Sequence, residues 1–179
     1  MPTKSLLVLG GARSGKSRFA QRLAETSGAR PVLIATAQAH DAEMEARIAR
    51  HAAERGPDWS LVEEPHELAA ALAREARPGR IIVVDCATIW LSNLMLREAD
   101  LAAATAELAG AVARLAGPAI FVSNEVGGGI VPDNALARRF RDAQGSLNQA
   151  LARACEAVVL MNAGIATQLK PGEAPKFRF

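Results

Sequence analysis

Gly10-Gly11-Ala12-Arg13-Ser14-Gly15-Lys16-Ser17 decides the reading of this chain. The octapeptide has the G-x-x-x-x-G-K-[ST] spacing of a phosphate-binding loop, and its context fits. Residues 6–9 before it read as a short buried strand, and residues 16–27 as a helix. Phosphate chemistry needs this arrangement. Glycines let backbone N–H groups wrap a phosphate, and the helix N-terminus adds positive potential. Lys16 neutralises phosphate oxygens, and the Ser17 hydroxyl can ligate Mg²⁺. The motif implies a nucleoside triphosphate, but neither its base nor the reaction.

Working outward, residues 32–35, 81–84, 120–123 and 158–161 are further apolar runs that read as buried parallel strands. Helical character lies between them, over 41–55, 66–77, 88–116 with a break near 98–100, and 133–157. Alternation of this kind predicts an α/β doubly wound sheet. In the last helix Leu136, Phe140, Ala143, Leu147, Ala150 and Leu151 recur at helical spacing, with Pro132 and Asp133 as start signals. Residues 171–179 read as coil. With no linker or repeat in view, residues 1–179 are expected to form a single nucleotide-binding domain. Ligands of such sheets sit beyond the strands' carboxyl ends, so the loops to inspect are 10–17, 36–40, 85–88 and 124–132.

Composition removes several classes. Of 179 residues half are apolar and 22% charged, which excludes wholesale disorder. The 21 basic and 19 acidic residues leave a net charge of only +2, an argument against a nucleic-acid surface or an anionic-membrane surface. Cys86 and Cys155 are too few for a disulfide framework or a zinc site and read as buried reduced thiols. The leading apolar run is too short for a signal peptide. Glu107, Arg114, Gly117 and Pro118 interrupt the window 101–122, so no membrane span is expected, and a cytoplasmic location is.

Asp85 ends a predicted strand, where it can hold Mg²⁺ directly or through water; capping the next helix is the alternative. His51 closes the predicted helix 41–55 with Arg47, Arg50 and Arg55 close in sequence. Such a cluster can hold a triphosphate while a neutral imidazole attacks phosphorus. From spacing alone, a histidine bonded to its helix's terminal carbonyls is the simpler reading. His40 and His66 receive no catalytic role. A guanine-reading N-K-x-D element is absent, Ser123-Asn124-Glu125-Val126 being the nearest string, which argues against a signalling GTPase.

Several segments together resemble one family. They are the phosphate loop, Ala35-Thr36-Ala37, the run Asp41-Ala-Glu-Met44 through Arg47-Ile48 to His51, Val84-Asp85-Cys86 with Thr88, and Asn93-Leu94. With them go Ser123-Asn-Glu-Val-Gly-Gly-Gly-Ile-Val-Pro132, Phe140-Arg-Asp142 and Asn148-Gln149. This pattern, spanning nearly the whole chain, resembles the bifunctional adenosylcobinamide kinase/adenosylcobinamide-phosphate guanylyltransferase of cobalamin biosynthesis. The resemblance implies a RecA-like P-loop fold, a mostly parallel sheet flanked by helices. It implies ATP or GTP as phosphoryl donor to adenosylcobinamide, then transfer of GMP from GTP to adenosylcobinamide phosphate with loss of pyrophosphate.

It also implies a covalent GMP–histidine intermediate at the position of His51, with Lys16 as the other catalytic residue. Nucleotide contacts carry over to Gly10, Gly11, Ala12, Arg13, Ser14, Gly15, Lys16 and Ser17. They carry over as well to Ala35, Thr36, Ala37, Ala52, Ala53, Glu54, Arg55, Glu63 and Asp85. Asp85 stands where some relatives carry Glu, which keeps the carboxylate and shortens its reach. Ser17 and Asp85 are the implied Mg²⁺ ligands. A homotrimer is implied too, with the apolar stretch 89–96 as its partner surface or, alternatively, as ordinary core.

The two reactions attack different phosphorus atoms, γ for the kinase and α for the transferase. A helix that carries His51 and moves about a hinge at Gly56-Pro57 would reconcile them. Glu125 and Asp142 are possible kinase bases, with turn hydrogen bonding and surface charge as their alternatives. Read without the resemblance, the residues also fit a single-activity small-molecule kinase or a nucleotide-dependent switch.

Overall fold

The computed structural model describes residues 3–38 and 56–172. The expected helix over 41–55 and the tail beyond 172 lie outside them. Seven strands form one sheet: β1 Ser5–Gly10, β2 Arg30–Ala35, β3 Ser60–Glu63, β4 Arg80–Asp85, β5 Ala119–Val122, β6 Ala157–Asn162 and β7 Ile165–Lys170. Their order is β3-β2-β4-β5-β1-β6-β7. The first six run parallel and β7 turns back antiparallel on β6. The expected RecA-like, mostly parallel arrangement is the one observed, and it gathers the ends of β1, β2, β4 and β5 along one edge.

Five helices are described: α1 Lys16–Glu25, α2 Leu68–Glu75, α3 Ala87–Leu96, α4 Leu101–Ala113 and α5 Ala135–Ala154. Strand alternation divides the core between the two sheet faces. Ile82 and Val84 of β4 pack with Leu72, Trp90, Leu91, Leu108, Leu147 and Leu151 from α2, α3, α4 and α5. Ile81 and Val83 face the other way, onto Ala20 and Ala24 of α1. Burial on both faces explains why the central strands read as unbroken apolar runs. Truncating a fully buried side chain such as Phe121 to alanine would cost about 3–5 kcal/mol.

The predicted break at 98–100 is real. Glu98 takes φ +57, and the Asp100 carboxylate accepts from the Ala102 and Ala103 N–H groups at 3.0 Å to start α4. At α5, Asn134 is the cap in place of Pro132 or Asp133, its Oδ1 accepting from Ala137 N at 2.7 Å. Leu136, counted with the apolar face of that helix, is 57% exposed, whereas Leu147 and Leu151 are fully buried. The face turns inward only where α5 reaches the sheet. In the stretch 89–96, Trp90, Leu91, Leu94 and Met95 are buried within this chain, and Leu96 alone among its large apolar residues stays well exposed.

Strands β3 and β7 had no counterpart in the sequence reading. β3 has four residues and none fully buried, and β7 is exposed at every position but its last. Both are sheet edges, held by backbone ladders that leave no burial pattern to read. Among the described residues no helix is long and apolar enough to cross a membrane.

Candidate active site

β1 ends at Gly10, whose φ of +149 suits glycine. A Cβ there would strike the Met161 carbonyl oxygen of β6 and approach Ser14 Oγ to 2.7 Å. Gly15 leads into α1 with φ +97, and a Cβ on it would lie 3.3 Å from Gly164 Cα. The β6–β7 turn therefore braces the loop from beneath, and Gly164 N donates to Ser14 O at 3.0 Å. Buried Lys16 donates from Nζ to Gly11 O at 2.5 Å and to Ser14 Oγ at 3.4 Å. The N-cap Gly15 offers no side-chain cap to α1, and no acidic residue sits in the helix's first turn. Its leading N–H groups and positive dipole end thus face the loop, which suits an anion.

Strand register brings distant residues into one row across this edge. Glu63 of β3 pairs with Ala35 of β2, Ala35 with Asp85 of β4, Asp85 with Val122 of β5, and Val122 with Val8 of β1. Neighbouring strands lie about 4.8 Å apart, so Glu63 and Asp85 flank Ala35 at roughly 10 Å from each other. Thr36 follows Ala35 and is fully buried. Its hydroxyl donates to Cys86 O at 2.8 Å and accepts from Cys86 N at 3.0 Å, which fastens the end of β2 to the end of β4. Asn93 of α3 adds a second fastening from Nδ2, to Thr36 O at 2.8 Å and Pro65 O at 3.1 Å.

Asp85 does not cap α3. The cap is Cys86, whose Sγ accepts from Ile89 N at 3.5 Å. The Asp85 carboxylate makes no hydrogen bond or ion pair with a described residue, nor does the Ser17 hydroxyl. Burial pushes the Cys86 thiol up to about 11; Asp85 adds to the rise, and Lys16 opposes it together with the N–H groups of Ile89 and Thr88. Cys155 is pushed up to about 12, again by burial first. Both thiols are free and buried, so neither is a ready nucleophile at neutral pH. Among the described residues no group of three or more His, Cys, Asp or Glu side chains is arranged to hold a metal ion by itself. A hydroxyl and a carboxylate are hard oxygen donors that suit Mg²⁺, which commonly completes its shell with water and phosphate oxygens.

The second glycine-rich loop, 124–132, leaves β5 beside the first. Glu125 N donates to Gly10 O at 3.0 Å, joining the two loops directly. A buried polar cluster that sequence reasoning missed holds the start of this loop. Ser123 Oγ donates to Asn148 Oδ1 at 2.7 Å, and Gln144 Nε2 donates to Ser123 Oγ at 3.0 Å and to Asn148 Oδ1 at 2.9 Å. Asn124 N donates to Thr88 Oγ1 at 2.8 Å, and Asn124 O accepts from Asn148 Nδ2 at 3.0 Å. Farther along, Arg141 Nη2 donates to Gly127 O at 2.5 Å. The available signal was two amides, Gln144 and Asn148, four residues apart in a helix and flanked on that face by Phe140, Leu147 and Leu151.

Of the residues singled out from sequence, 10–17, Ala35, Thr36 and Asp85 therefore share one edge, with Ala37 just past Thr36 and Glu63 at the far end of the row. Glu125 spends one carboxylate oxygen on Gly127 N at 2.6 Å, a turn bond, and Asp142 is exposed on α5. His40, His51, Ala52, Ala53, Glu54 and Arg55 lie outside the described residues, as does the helix proposed to hinge at Gly56-Pro57.

Comparison with known proteins gives a consistent picture. A family model described as cobinamide kinase / cobinamide phosphate guanyltransferase matches residues 6–169. The chain is 49% identical over 166 residues to the bifunctional adenosylcobalamin biosynthesis protein CobP of Pseudomonas aeruginosa, covering 92% of this chain and 96% of that one. It is 37% identical over 180 residues to the bifunctional adenosylcobalamin biosynthesis protein CobU of Escherichia coli, with 92% and 99% covered. Among solved structures, the RadB recombinase superposes with a TM-score of 0.55 at 16% identity, covering 89% of this chain and 74% of that one, a likeness of fold alone. With the family pattern running from β1 into β7, this chain belongs to the cobinamide kinase / cobinamide phosphate guanyltransferase family of enzymes.

Proposed function

We propose that this chain phosphorylates adenosylcobinamide with ATP or GTP and then transfers GMP from GTP to adenosylcobinamide phosphate, giving adenosylcobinamide-GDP and pyrophosphate. The observation that carries the reading is the row Glu63–Ala35–Asp85, set by register beside the phosphate loop. It supports a nucleotide lying along the carboxyl edge, phosphates in loop 10–17 and the rest over β2 and β3. Ser17 and Asp85 would hold Mg²⁺, which when bound neutralises charge on the phosphates. Lys16, the first residue of α1, stabilises the charge that develops on phosphate oxygens in both reactions.

In the kinase step the substrate hydroxyl bonds to the γ-phosphorus, its proton goes to a base, and ADP or GDP leaves. In the transferase step a nitrogen of His51 bonds to the α-phosphorus, and the bond to the β-phosphate oxygen breaks to release pyrophosphate. An oxygen of adenosylcobinamide phosphate then attacks the same phosphorus, the P–N bond breaks, and the imidazole is restored. Dependence on ATP and GTP makes the cytoplasm the place of this reaction. A homotrimer, as the resemblance implies, would cover Leu96 and Leu136, which line one groove of about 320 Å³ between α3 and α5.

Mass spectrometry of the protein after incubation with GTP and Mg²⁺ tests the transferase. One added GMP, located on His51 and lost in His51→Ala, is the expected result, with cobinamide-dependent ADP formation retained in that variant. Absence of any adduct while phosphorylation continues would reduce the chain to a single-activity kinase.

A further inference from the structure

Asn124 occupies a place that no role has yet claimed. β5 lies between β4, which ends at Asp85, and β1, which ends at the phosphate loop. Its ladder to β1 continues past the strand's end: Ser123 N donates to Val8 O and, two residues on, Glu125 N donates to Gly10 O, each at 3.0 Å. The chain is thus still extended at Asn124, whose own N–H and C=O turn toward the β4 side, where β4 has already ended. Thr88 Oγ1 and Asn148 Nδ2 stand in for the missing strand there, one on the N–H and one on the C=O. Asn148 is itself held by Ser123 and Gln144, all three buried.

Side chains alternate along an extended segment. Ser123 faces α3 and α5, where its partners are, so Asn124 falls on the opposite face with Val122, which packs with Ala20 of α1. Val122 is level with Asp85, and two residues more carry Asn124 about 7 Å beyond that row, level with Gly10 and beside the start of α1. Its side-chain amide makes no hydrogen bond with any described residue although the residue is half-buried. Gln144 Oε1 in the same cluster has no hydrogen-bond partner among the described residues either.

We propose that Asn124 is a nucleotide-contacting residue whose side-chain amide donates a hydrogen bond to the terminal phosphate of the bound triphosphate. Thr88 and Asn148 are positioning residues that fix its backbone. A neutral amide suits the place, because it donates to a phosphate oxygen without repelling the metal that Asp85 is suited to hold. The proposal rests on the nucleotide lying as argued above, but not on cobinamide chemistry or GMP transfer.

The test uses nucleotide alone. Fluorescent GTP and GDP analogues are titrated into the wild type, Asn124→Ala and the isosteric Asn124→Asp, with melting curves to check the fold. Asn124→Ala is expected to lower the preference for GTP over GDP about tenfold, the worth of one charge-assisted hydrogen bond. Asn124→Asp should lower it further, since its carboxylate repels the additional phosphate. An unchanged preference in both variants, or equal weakening of GTP and GDP, would overturn the proposal.

Discussion

The loops at 10–17 and 124–132 leave adjacent strands at the same edge of the sheet, and each carries three glycines. A Cβ at Gly10 or Gly15 would press on backbone of the β6–β7 hairpin, while at Gly128 or Gly129 it would meet nothing within 4 Å among the described residues. The first loop is shaped by its own glycines and the main chain packed beneath it. The second is held from outside, by Thr88 of α3 and by Arg141 and Asn148 of α5. A loop can thus be rigid where its sequence is flexible, provided that other elements lend it side chains.

Gly10→Ala tests the first half of this contrast and should have the largest effect. The new methyl must displace the Met161 carbonyl or the Ser14 hydroxyl, in a backbone region that costs about 1–3 kcal/mol for a non-glycine residue. With the added clash, calorimetry should show a melting temperature lower by roughly 5–10 °C. GTP affinity should fall with it, because the shifted atoms belong to the phosphate loop. An unchanged melting point would mean that β6 yields, and that the brace is softer than its contacts indicate.

Asn148→Leu tests the second half. It leaves the buried Ser123 hydroxyl without its acceptor and the Asn124 carbonyl without a donor, a loss of about 1–3 kcal/mol. Gln144→Leu should cost less, below about 1 kcal/mol. Ser123 and Asn148 still bond each other in that variant, and the partnerless Oε1 disappears. Urea unfolding of the pair measures the difference directly. If Gln144→Leu proved the more damaging, the centre of the cluster would be Gln144, and Asn148 a peripheral member.

The same contrast explains what could be read from sequence. The phosphate loop was legible because its chemistry, its special backbone and its flanking elements fall within eight consecutive residues and their neighbours. The central strands were legible because burial on both faces leaves apolar runs, as in Ile81-Ile82-Val83-Val84. The position of Asp85 at the end of β4 was legible for the same reason. What escaped notice depends on meetings between distant segments. Thr36 with Cys86, Asn93 with Pro65, and Ser123 with Gln144 and Asn148 are joined only when register and helix packing bring them together. The edge strands β3 and β7 escaped for a related reason, since backbone pairing holds them and their side chains record little of it.

Gly128→Ala is the smallest effect expected and the sharpest check on the reasoning. No described residue lies within 4 Å of its added methyl, and its φ is outside the left-handed range, so no backbone strain opposes the change. The substitution also removes conformational freedom from the unfolded chain, which alone stabilises by about 0.4–1 kcal/mol where the native backbone accepts alanine. The melting temperature should therefore stay level or rise by roughly 1–4 °C. Nucleotide affinity should not change, because the Thr88 and Asn148 contacts that fix the loop's start are untouched. A drop in GTP affinity with the melting point preserved would show that the glycines at 127–129 serve a motion during binding, and that the outside supports hold only the loop's ends.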